Sequence, residues 1–302
     1  MSSTVKAKSE RLSEAVTLVL KAGGKRLRPA LVLISGRVGC YDFKRLLPAA
    51  LTVELIHMAS LIHDDILDGA TIRRGYPTIN LRWDRETAIA VGDHVFGVAF
   101  VSLSLLDDPR IIDLMAEAST SLSSGEWLEL SLAFRDDQTI DDYMLRIGKK
   151  TAALFSACCA AGGMLSDAKA EEVQALKRFG ENLGIAFQIR DDLLDFWGDE
   201  KALGKPVGSD LREGIATLPF LYALEEHGGN GLLTHVITSR DNSQAEINEA
   251  ISIISATGAR QRSEELAGAY LVQALDALAD ISLSEVQEEL RAVARFVVER
   301  YF

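Results

Sequence analysis

Two short runs of aspartates, far apart in the chain, are the residues best suited to chemistry. Residues 64–68 read Asp-Asp-Ile-Leu-Asp and residues 191–195 read Asp-Asp-Leu-Leu-Asp. On a helix, the first and last aspartate of each run share one face, where like charges are destabilising unless a cation compensates. Carboxylate oxygens are ligands that Mg²⁺ prefers. The candidate magnesium ligands are therefore Asp64, Asp65, Asp68, Asp191, Asp192 and Asp195.

Mainly apolar sequence leads into both acidic runs, which argues against the alternative of ordinary solvated acidic faces. Residues 51–62 and 183–189 place each run at the end of a core-type helix. His57 lies seven residues before the first run and shares its helical face, although a lone helical histidine is more often an ordinary core residue. Gln188 lies three residues before the second run, and a buried amide there needs hydrogen-bond partners.

Three clusters of basic residues supply the positive charge that an anionic substrate needs. They lie in residues 23–29 after a Gly-Gly turn, in residues 73–74 after the first acidic run, and in residues 149–151 before an Ala-rich segment. Arg and Lys near helix ends can hold diphosphate oxygens together with metal ions. Each cluster alone could be a solvated loop. Together with the acidic runs, they predict a site for two diphosphates, at least one of them bridged by Mg²⁺.

The overall charge and the cysteines limit the class of protein. The formal net charge of -12 argues against a nucleic-acid partner, because binding phosphate chains needs an excess of Lys and Arg. The 3 cysteines include the neighbours Cys158 and Cys159 and cannot form a disulfide framework, which indicates a reducing compartment. Residues 1–10 lack the apolar core of a signal peptide, and no charge-free apolar run of membrane-spanning length occurs. The sequence predicts a cytoplasmic protein without a transmembrane segment.

The spacing of apolar residues predicts helices almost throughout. Apolar residues recur three and four positions apart, and Gly- and Pro-bearing breaks delimit roughly ten helices. Segments as apolar as residues 49–66 and 88–106 must be buried on several sides, which favours one large bundle over two small domains. We therefore predict an all-α fold, a single domain over residues 1–302, and a long loop at residues 196–217.

Five segments resemble, in order, the motifs of the trans-isoprenyl diphosphate synthase (polyprenyl synthetase) family: GGKRLRP, HDDILDGATIRRG, GKKTAALF, FQIRDDLLDFWGD and GKPVGSDL. The resemblance covers residues 20–302, and the ordered set is far more specific than one acidic run. It implies an isoprenoid synthase fold, with helices around a deep central cavity and the two acidic helices facing each other. It also implies a homodimer that uses Mg²⁺ to condense isopentenyl diphosphate with an allylic prenyl diphosphate.

The resemblance assigns roles to individual positions. The six aspartates match the family's magnesium and diphosphate motifs. Positions that hold isopentenyl diphosphate are matched by Lys25, Arg28, His57 and Arg74. Positions around the allylic diphosphate are matched by Arg73, Lys150, Thr151, Gln188 and Lys205. By the same analogy, dipoles at Lys150, Thr151 and Gln188 stabilise the allylic cation, and the final proton goes to the released diphosphate.

Two departures from the family pattern bear on these roles. Ile215 stands where the family commonly has a lysine, so one diphosphate contact could be missing. About twenty residues precede the GGKRLRP segment, fewer than usual, so an N-terminal helix could be absent or trimmed.

Three other functions compete with this interpretation. A terpene cyclase shares the helical fold, but it needs neither the GGKRLRP segment nor a second full acidic run. A non-catalytic subunit of a two-component prenyl synthase generally loses the acidic runs, and both are intact here. A helical metal-binding scaffold would leave the basic clusters without a purpose.

Small residues one turn before the first acidic run bear on product length. Ala59 and Ser60 share its helical face and are expected to line the path of the growing chain. Aromatic residues at these family positions close the cavity early, so small ones imply a medium- or long-chain all-trans product. The alternative is a short-chain synthase, making farnesyl or geranylgeranyl diphosphate, in which a bulky residue on a neighbouring helix closes the cavity.

Overall fold

The computed structural model describes residues 9–198, 207–228 and 231–299, and these are mostly helical. In chain order the α-helices are α1 (Glu10–Lys21), α2 (Leu27–Ser35), α3 (Phe43–Leu67), α4 (Ile79–Arg82), α5 (Arg85–Leu103), α6 (Pro109–Leu132), α7 (Ile140–Ile147), α8 (Ala153–Leu165), α9 (Ala170–Trp197), α10 (Ser209–Arg212), α11 (Leu218–His227), α12 (Leu232–Thr238), α13 (Gln244–Ser255), α14 (Ala259–Ala277) and α15 (Ser284–Glu299). A π-helical turn, Gly148–Ala152, joins α7 to α8, and a 3-10 turn, Leu278–Asp280, follows α14. The prediction of an all-α fold is confirmed.

The chain divides into two compact units, which are described separately below. The first unit comprises Met1–Glu117 with Cys158–Val173, and the second comprises Ala118–Ala157 with Gln174–Phe302. The prediction of a single domain stays a prediction.

In the first unit, the apolar helix α3 packs along α5 and α2. Its long apolar stretch is buried, and the hydroxyl of Thr52 donates to the carbonyl of Ala99 on α5 at 3.1 Å. Asp42 begins α3 by accepting from the backbone N–H of Lys44, and the helix ends at Leu67, inside the first acidic run. The packing therefore holds that run at the C-terminal end of a rigid core helix.

A two-stranded hairpin, not predicted from the sequence, follows α3 in the first unit. Strands β1 (Ile72–Arg73) and β2 (Tyr76–Pro77) pair antiparallel. Arg74 and Gly75, between them, both have positive φ angles, as a tight two-residue hairpin turn requires. The hairpin thus places Arg73 on a strand and Arg74 in a fixed turn.

In the second unit, α7 begins with a capping box in which Thr139 and Asp142 satisfy each other's backbone N–H groups. Asp142 therefore helps to cap the start of this helix. Gly184 lets α9 approach the end of the π-helical turn closely, because a Cβ there would lie 2.6 Å from the Cα of Ala152. The second acidic run is thereby fixed against the segment that carries Lys150 and Thr151.

Helices α3 and α5 are long and apolar enough, by length and composition alone, to cross a membrane. Core helices of soluble proteins pass the same test, and most of the apolar window of α3 is buried within the protein. The predicted absence of a transmembrane segment stays a prediction.

Candidate active site

The first acidic run separates into two open carboxylates and one that turns inward. Asp64 is half-buried and Asp68 is exposed, whereas Asp65 is only 7% exposed. Arg73, on strand β1, donates from Nε to the Asp65 carboxylate. Burial raises the pKa of Asp65, and the charge and hydrogen bond of Arg73 oppose that rise. The open pair, Asp64 and Asp68, is four residues apart and is the part of this run best placed to reach a solvated cation.

Next to this run lies a concentration of positive charge centred on His57. The arginines that act on it electrostatically are Arg26, Arg28, Arg73 and Arg74. Burial, followed by these positive charges, holds the pKa of His57 well below its usual range. The imidazole is therefore neutral at pH 7 and can donate a hydrogen bond to an anion without itself needing a counter-charge.

The Gly-Gly turn and the hairpin turn meet in the first unit. Arg74 donates from Nη1 to the carbonyl of Gly23. At Gly24, where φ is +153°, a Cβ would lie 2.5 Å from the same Nη1 atom. Lys25 follows in an exposed position. The structure thus joins the basic segment before α2 to the basic segment after α3, as binding of one diphosphate by both requires.

A buried glutamate that the sequence analysis missed organises this cluster. Glu54, on α3, is 4% exposed and forms an ion pair with Arg26. Nη1 of Arg26 also lies 3.8 Å from the sulfur of Met58. Arg26, the middle cation of its segment, is therefore held by the protein itself. The signal was a single carboxylate three residues before His57 in a mainly apolar run.

In the second acidic run, the three aspartates have different surroundings. Asp191 is exposed, Asp192 is 6% exposed and Asp195 is 2% exposed. The Asp195 carboxylate accepts the hydroxyl of Ser209 at 2.6 Å and the backbone N–H groups of Ser209 and Asp210 at 3.2 and 3.1 Å. Of the three aspartates, Asp195 is therefore the least accessible to a solvated cation.

Asp192 ends a chain of hydrogen bonds that contains two predicted site residues. Thr151 donates to Gln188 at 2.7 Å, and Gln188 donates through Nε2 to Asp192 at 2.8 Å. The hydroxyl of Tyr143 donates to the other Asp192 oxygen at 2.7 Å. Burial raises the pKa of Asp192 to about 6, while these donors and Arg146 favour its charged form. Tyr143, an aromatic in a helix, gave no sequence signal beyond its apolar spacing.

Lys150, predicted to contact the allylic diphosphate, is held by two carboxylates of α6. Its Nζ lies 2.6 Å from Oε2 of Glu126 and also pairs with Glu129. Buried Arg146 lies 3.6 Å from Oε2 of Glu129 and donates to the carbonyl of Ala216 at 3.2 Å. The sequence analysis missed these partners. In this structure the Lys150 ammonium is therefore paired with protein carboxylates, which the predicted contact with a diphosphate would have to replace.

The other residues singled out from the sequence are Lys205, Ala59, Ser60 and Ile215. Lys205 lies outside the described residues. Ala59 is fully buried, and the half-buried Ser60 donates to the carbonyl of His57 at 2.9 Å, so its hydroxyl is satisfied within α3. Ile215 is half-buried and donates its backbone N–H to Asp210. A product-length role for Ala59 and Ser60 stays a prediction.

The open carboxylates fit a magnesium ion shared with substrate better than an all-protein cage. Among the described residues, no three His, Cys, Asp or Glu side chains converge closely enough to hold a metal on their own. Mg²⁺ is commonly bound by one or two carboxylates, substrate phosphates and water. Asp64 with Asp68 in the first unit, and Asp191 in the second, offer that kind of partial site.

Comparison with known proteins agrees with this geometry. A family model described as polyprenyl synthetase matches residues 9–254. Component 2 of the heptaprenyl diphosphate synthase of Geobacillus stearothermophilus is 40% identical, over 96% of this chain and 90% of that protein. The geranylgeranyl diphosphate synthase of Saccharolobus solfataricus is 35% identical, over 98% of this chain and 92% of that protein.

The fold agrees as well. The crystal structure of heptaprenyl diphosphate synthase from Staphylococcus aureus matches with a TM-score of 0.94 and 34% identity, covering 100% of this chain and 95% of that one. Both the sequence and the backbone are therefore similar to those of known prenyl diphosphate synthases, and the chain belongs to the polyprenyl synthetase family of prenyltransferases.

Proposed function

We propose that this enzyme condenses isopentenyl diphosphate with an allylic prenyl diphosphate, in a Mg²⁺-dependent reaction, to give a medium- or long-chain all-trans polyprenyl diphosphate. The observation that carries the proposal is neutral His57, set among arginines beside the open Asp64–Asp68 pair. Such an arrangement suits one anion held by cations next to another anion held through metal.

Each group of residues has a distinct task in the proposed reaction. Lys25, Arg28, His57 and Arg74 bind isopentenyl diphosphate and orient its double bond. Arg73, Lys150 and Lys205 bind the allylic diphosphate. When bound to the open aspartates, Mg²⁺ supplies positive charge to the departing diphosphate.

The hydrogen-bond chain of Thr151, Gln188 and Asp192 supports the next step. It fixes the side-chain dipoles of Thr151 and Gln188, so that neither has to reorganise as positive charge develops on the allylic carbon. Condensation with the double bond then gives a cation that loses its proton to the released diphosphate. No nucleophilic side chain takes part.

The product length rests on α3. Relatives named for heptaprenyl and for geranylgeranyl products have similar identity to this chain, so their names alone do not choose between the two. Fully buried Ala59 leaves the helix face without a bulky side chain one turn before the first acidic run. A short-chain product is the alternative.

We also propose that the enzyme acts as a homodimer in the cytoplasm. The homodimer is supported by exposed apolar side chains: Val101 near the end of α5, Leu105 just after that helix, and Trp127, 70% exposed, on α6. A related protein named as component 2 suggests a second possibility, a complex with a different subunit. Light scattering of the purified chain, with activity measured on the same sample, distinguishes the two, since activity of the chain alone rules out an obligatory second subunit.

A product assay tests the main proposal. The purified chain is incubated with isopentenyl diphosphate, Mg²⁺ and several allylic primers, and the products are identified by chain length. Asp64→Ala and Asp191→Ala should each reduce turnover by several orders of magnitude without loss of helix. Asp136→Ala, in an exposed acidic pair that belongs to neither run, is the matched control and should retain wild-type turnover. Near-normal turnover in either Asp64→Ala or Asp191→Ala would refute the metal-site assignment.

A further inference from the structure

Asp195 completes the second acidic run in the sequence, but its carboxylate already accepts three hydrogen bonds from the protein. One oxygen accepts from the hydroxyl and the N–H of Ser209, and the other accepts from the N–H of Asp210. The main-chain carbonyl of Asp195 also accepts from the N–H of Gly208 at 2.7 Å. Side chain and backbone of one residue therefore hold three consecutive residues at the start of α10.

These contacts leave little scope for metal coordination by the same carboxylate. Asp195 is only 2% exposed, which leaves little room beside it for the several water molecules that Mg²⁺ usually keeps. Coordination would also take the acceptor away from two backbone N–H groups and a hydroxyl. Asp191, on the same helix, is exposed and so does not present the obstacle of burial.

The segment that Asp195 holds leads to other site residues of the second unit. After α10, the carbonyl of Gly214 accepts from the N–H of Phe134 at 2.9 Å. Two residues further on, the carbonyl of Ala216 accepts from Arg146. Arg146 adjoins Glu129, which pairs with Lys150. The position of the segment is thus coupled, through fixed contacts, to the lysine predicted to bind the allylic diphosphate.

We propose that Asp195 is a positioning residue that anchors residues 208–210, and that it is not a ligand of the magnesium ion. The magnesium part rests on the proposed function. The anchoring part does not, because it concerns contacts within the free protein.

The test compares three variants of the full chain: Asp195→Asn, Ser209→Ala and Asp191→Asn. Amide hydrogen exchange of residues 207–214 is measured without metal. The Mg²⁺ concentration that gives half of the thermal stabilisation is measured with inorganic diphosphate as the probe. Steady-state KM values are measured for both substrates.

For an anchor, Asp195→Asn and Ser209→Ala should speed exchange in residues 207–214 by about tenfold, because each removes hydrogen bonds from the segment. Asp191→Asn should not. Asp191→Asn should raise the half-saturating Mg²⁺ concentration by about tenfold or more, and the other two should change it by less than about threefold. Asp195→Asn should raise the KM of the allylic diphosphate more than that of isopentenyl diphosphate, a difference that general loosening would not produce.

Two results would overturn the proposal. One is unchanged exchange in Asp195→Asn together with a Mg²⁺ requirement raised as far as in Asp191→Asn. The other is a lower Mg²⁺ requirement in Ser209→Ala, since removing a competing donor would help a true ligand; this arm stands even if Asp195→Asn does not fold. If the wild type made no prenyl product, the proposed function would fail while the exchange measurement still tested the anchor.

Discussion

Replacing Tyr143 by Phe removes a single hydroxyl from the site and nothing else of the side chain. Tyr143 is 2% exposed, and its hydroxyl bonds to Asp192 at 2.7 Å. Burial, and then the nearby Asp192 charge, hold the Tyr143 pKa well above its usual range, so the group remains a hydrogen donor at neutral pH. A hydrogen bond to a charged group contributes about 1.5–3 kcal/mol. Its loss should therefore lower the free energy of unfolding by about 1.5–3 kcal/mol where Asp192 is charged.

The pH dependence gives this prediction a second, independent observable. The Tyr143 hydroxyl favours the charged form of Asp192, so its removal should let the Asp192 pKa rise above its present value of about 6. Because the lost hydrogen bond stabilises the charged carboxylate most, the loss of unfolding free energy should be larger at pH 8.5, where Asp192 is charged, than at pH 5, where it is largely protonated.

The assay is chemical unfolding of the variant and of the wild type, without metal, at the two pH values. Tyr222→Phe is the matched control, because Tyr222 is also buried and its ring, stacked under Arg262, remains after the change. A free energy of unfolding in Tyr143→Phe within about 0.5 kcal/mol of wild type, at both pH values, would refute the reasoning.

Three further predictions concern the first unit. The folded state disfavours protonation of His57, so below about pH 6.5 the unfolded wild-type chain binds a proton that the folded chain does not. In chemical unfolding, His57→Asn should therefore lose less stability than wild type when the pH falls from 7.5 to 5. Equal losses of stability would contradict this prediction. Gly24→Ala should displace Arg74 and raise the KM of isopentenyl diphosphate by about tenfold. Gly23 also has a positive φ, but no Arg74 atom lies near the position of its Cβ, so Gly23→Ala should leave this KM unchanged. An equal rise in KM in both variants would point to backbone strain as the cause. Ala59→Phe should shorten the products at similar turnover, read by chromatography, and an unchanged distribution would show that the chain does not pass this residue.

The sequence was sufficient to find the two acidic runs, the three basic clusters and the helical class. Spacing on a helix relates side chains of that helix to one another, and Asp64 and Asp68 were grouped in this way. Spacing within one helix gives no information about contacts with residues from other parts of the chain. Arg73 reaches Asp65 from a strand of the hairpin, so the inward turn of that carboxylate could not be foreseen.

The residues that were missed share a different property. Glu54, Glu126 and Glu129 each look like an ordinary helical glutamate, and Arg146 like an ordinary helical cation. Their roles follow only from burial and from the ion pairs that burial forces on them. Single-sequence patterns identify residues that contact a ligand more readily than residues that hold those residues in place.

Because of the π-helical turn, the number of residues between α7 and α8 affects the geometry of the site. Helix α7, residues 148–152 and α8 follow one another without interruption, and the N–H of Ala153 bonds to the carbonyl of Gly148, five residues earlier. Deleting one residue here would restore ordinary α-helical bonding, so the helix itself could persist. It would also rotate α7 relative to α8 by about 100°, turning Tyr143 away from Asp192. A relative or an engineered variant that lacks one residue at this turn should therefore have a different active-site geometry, even if all other residues are the same.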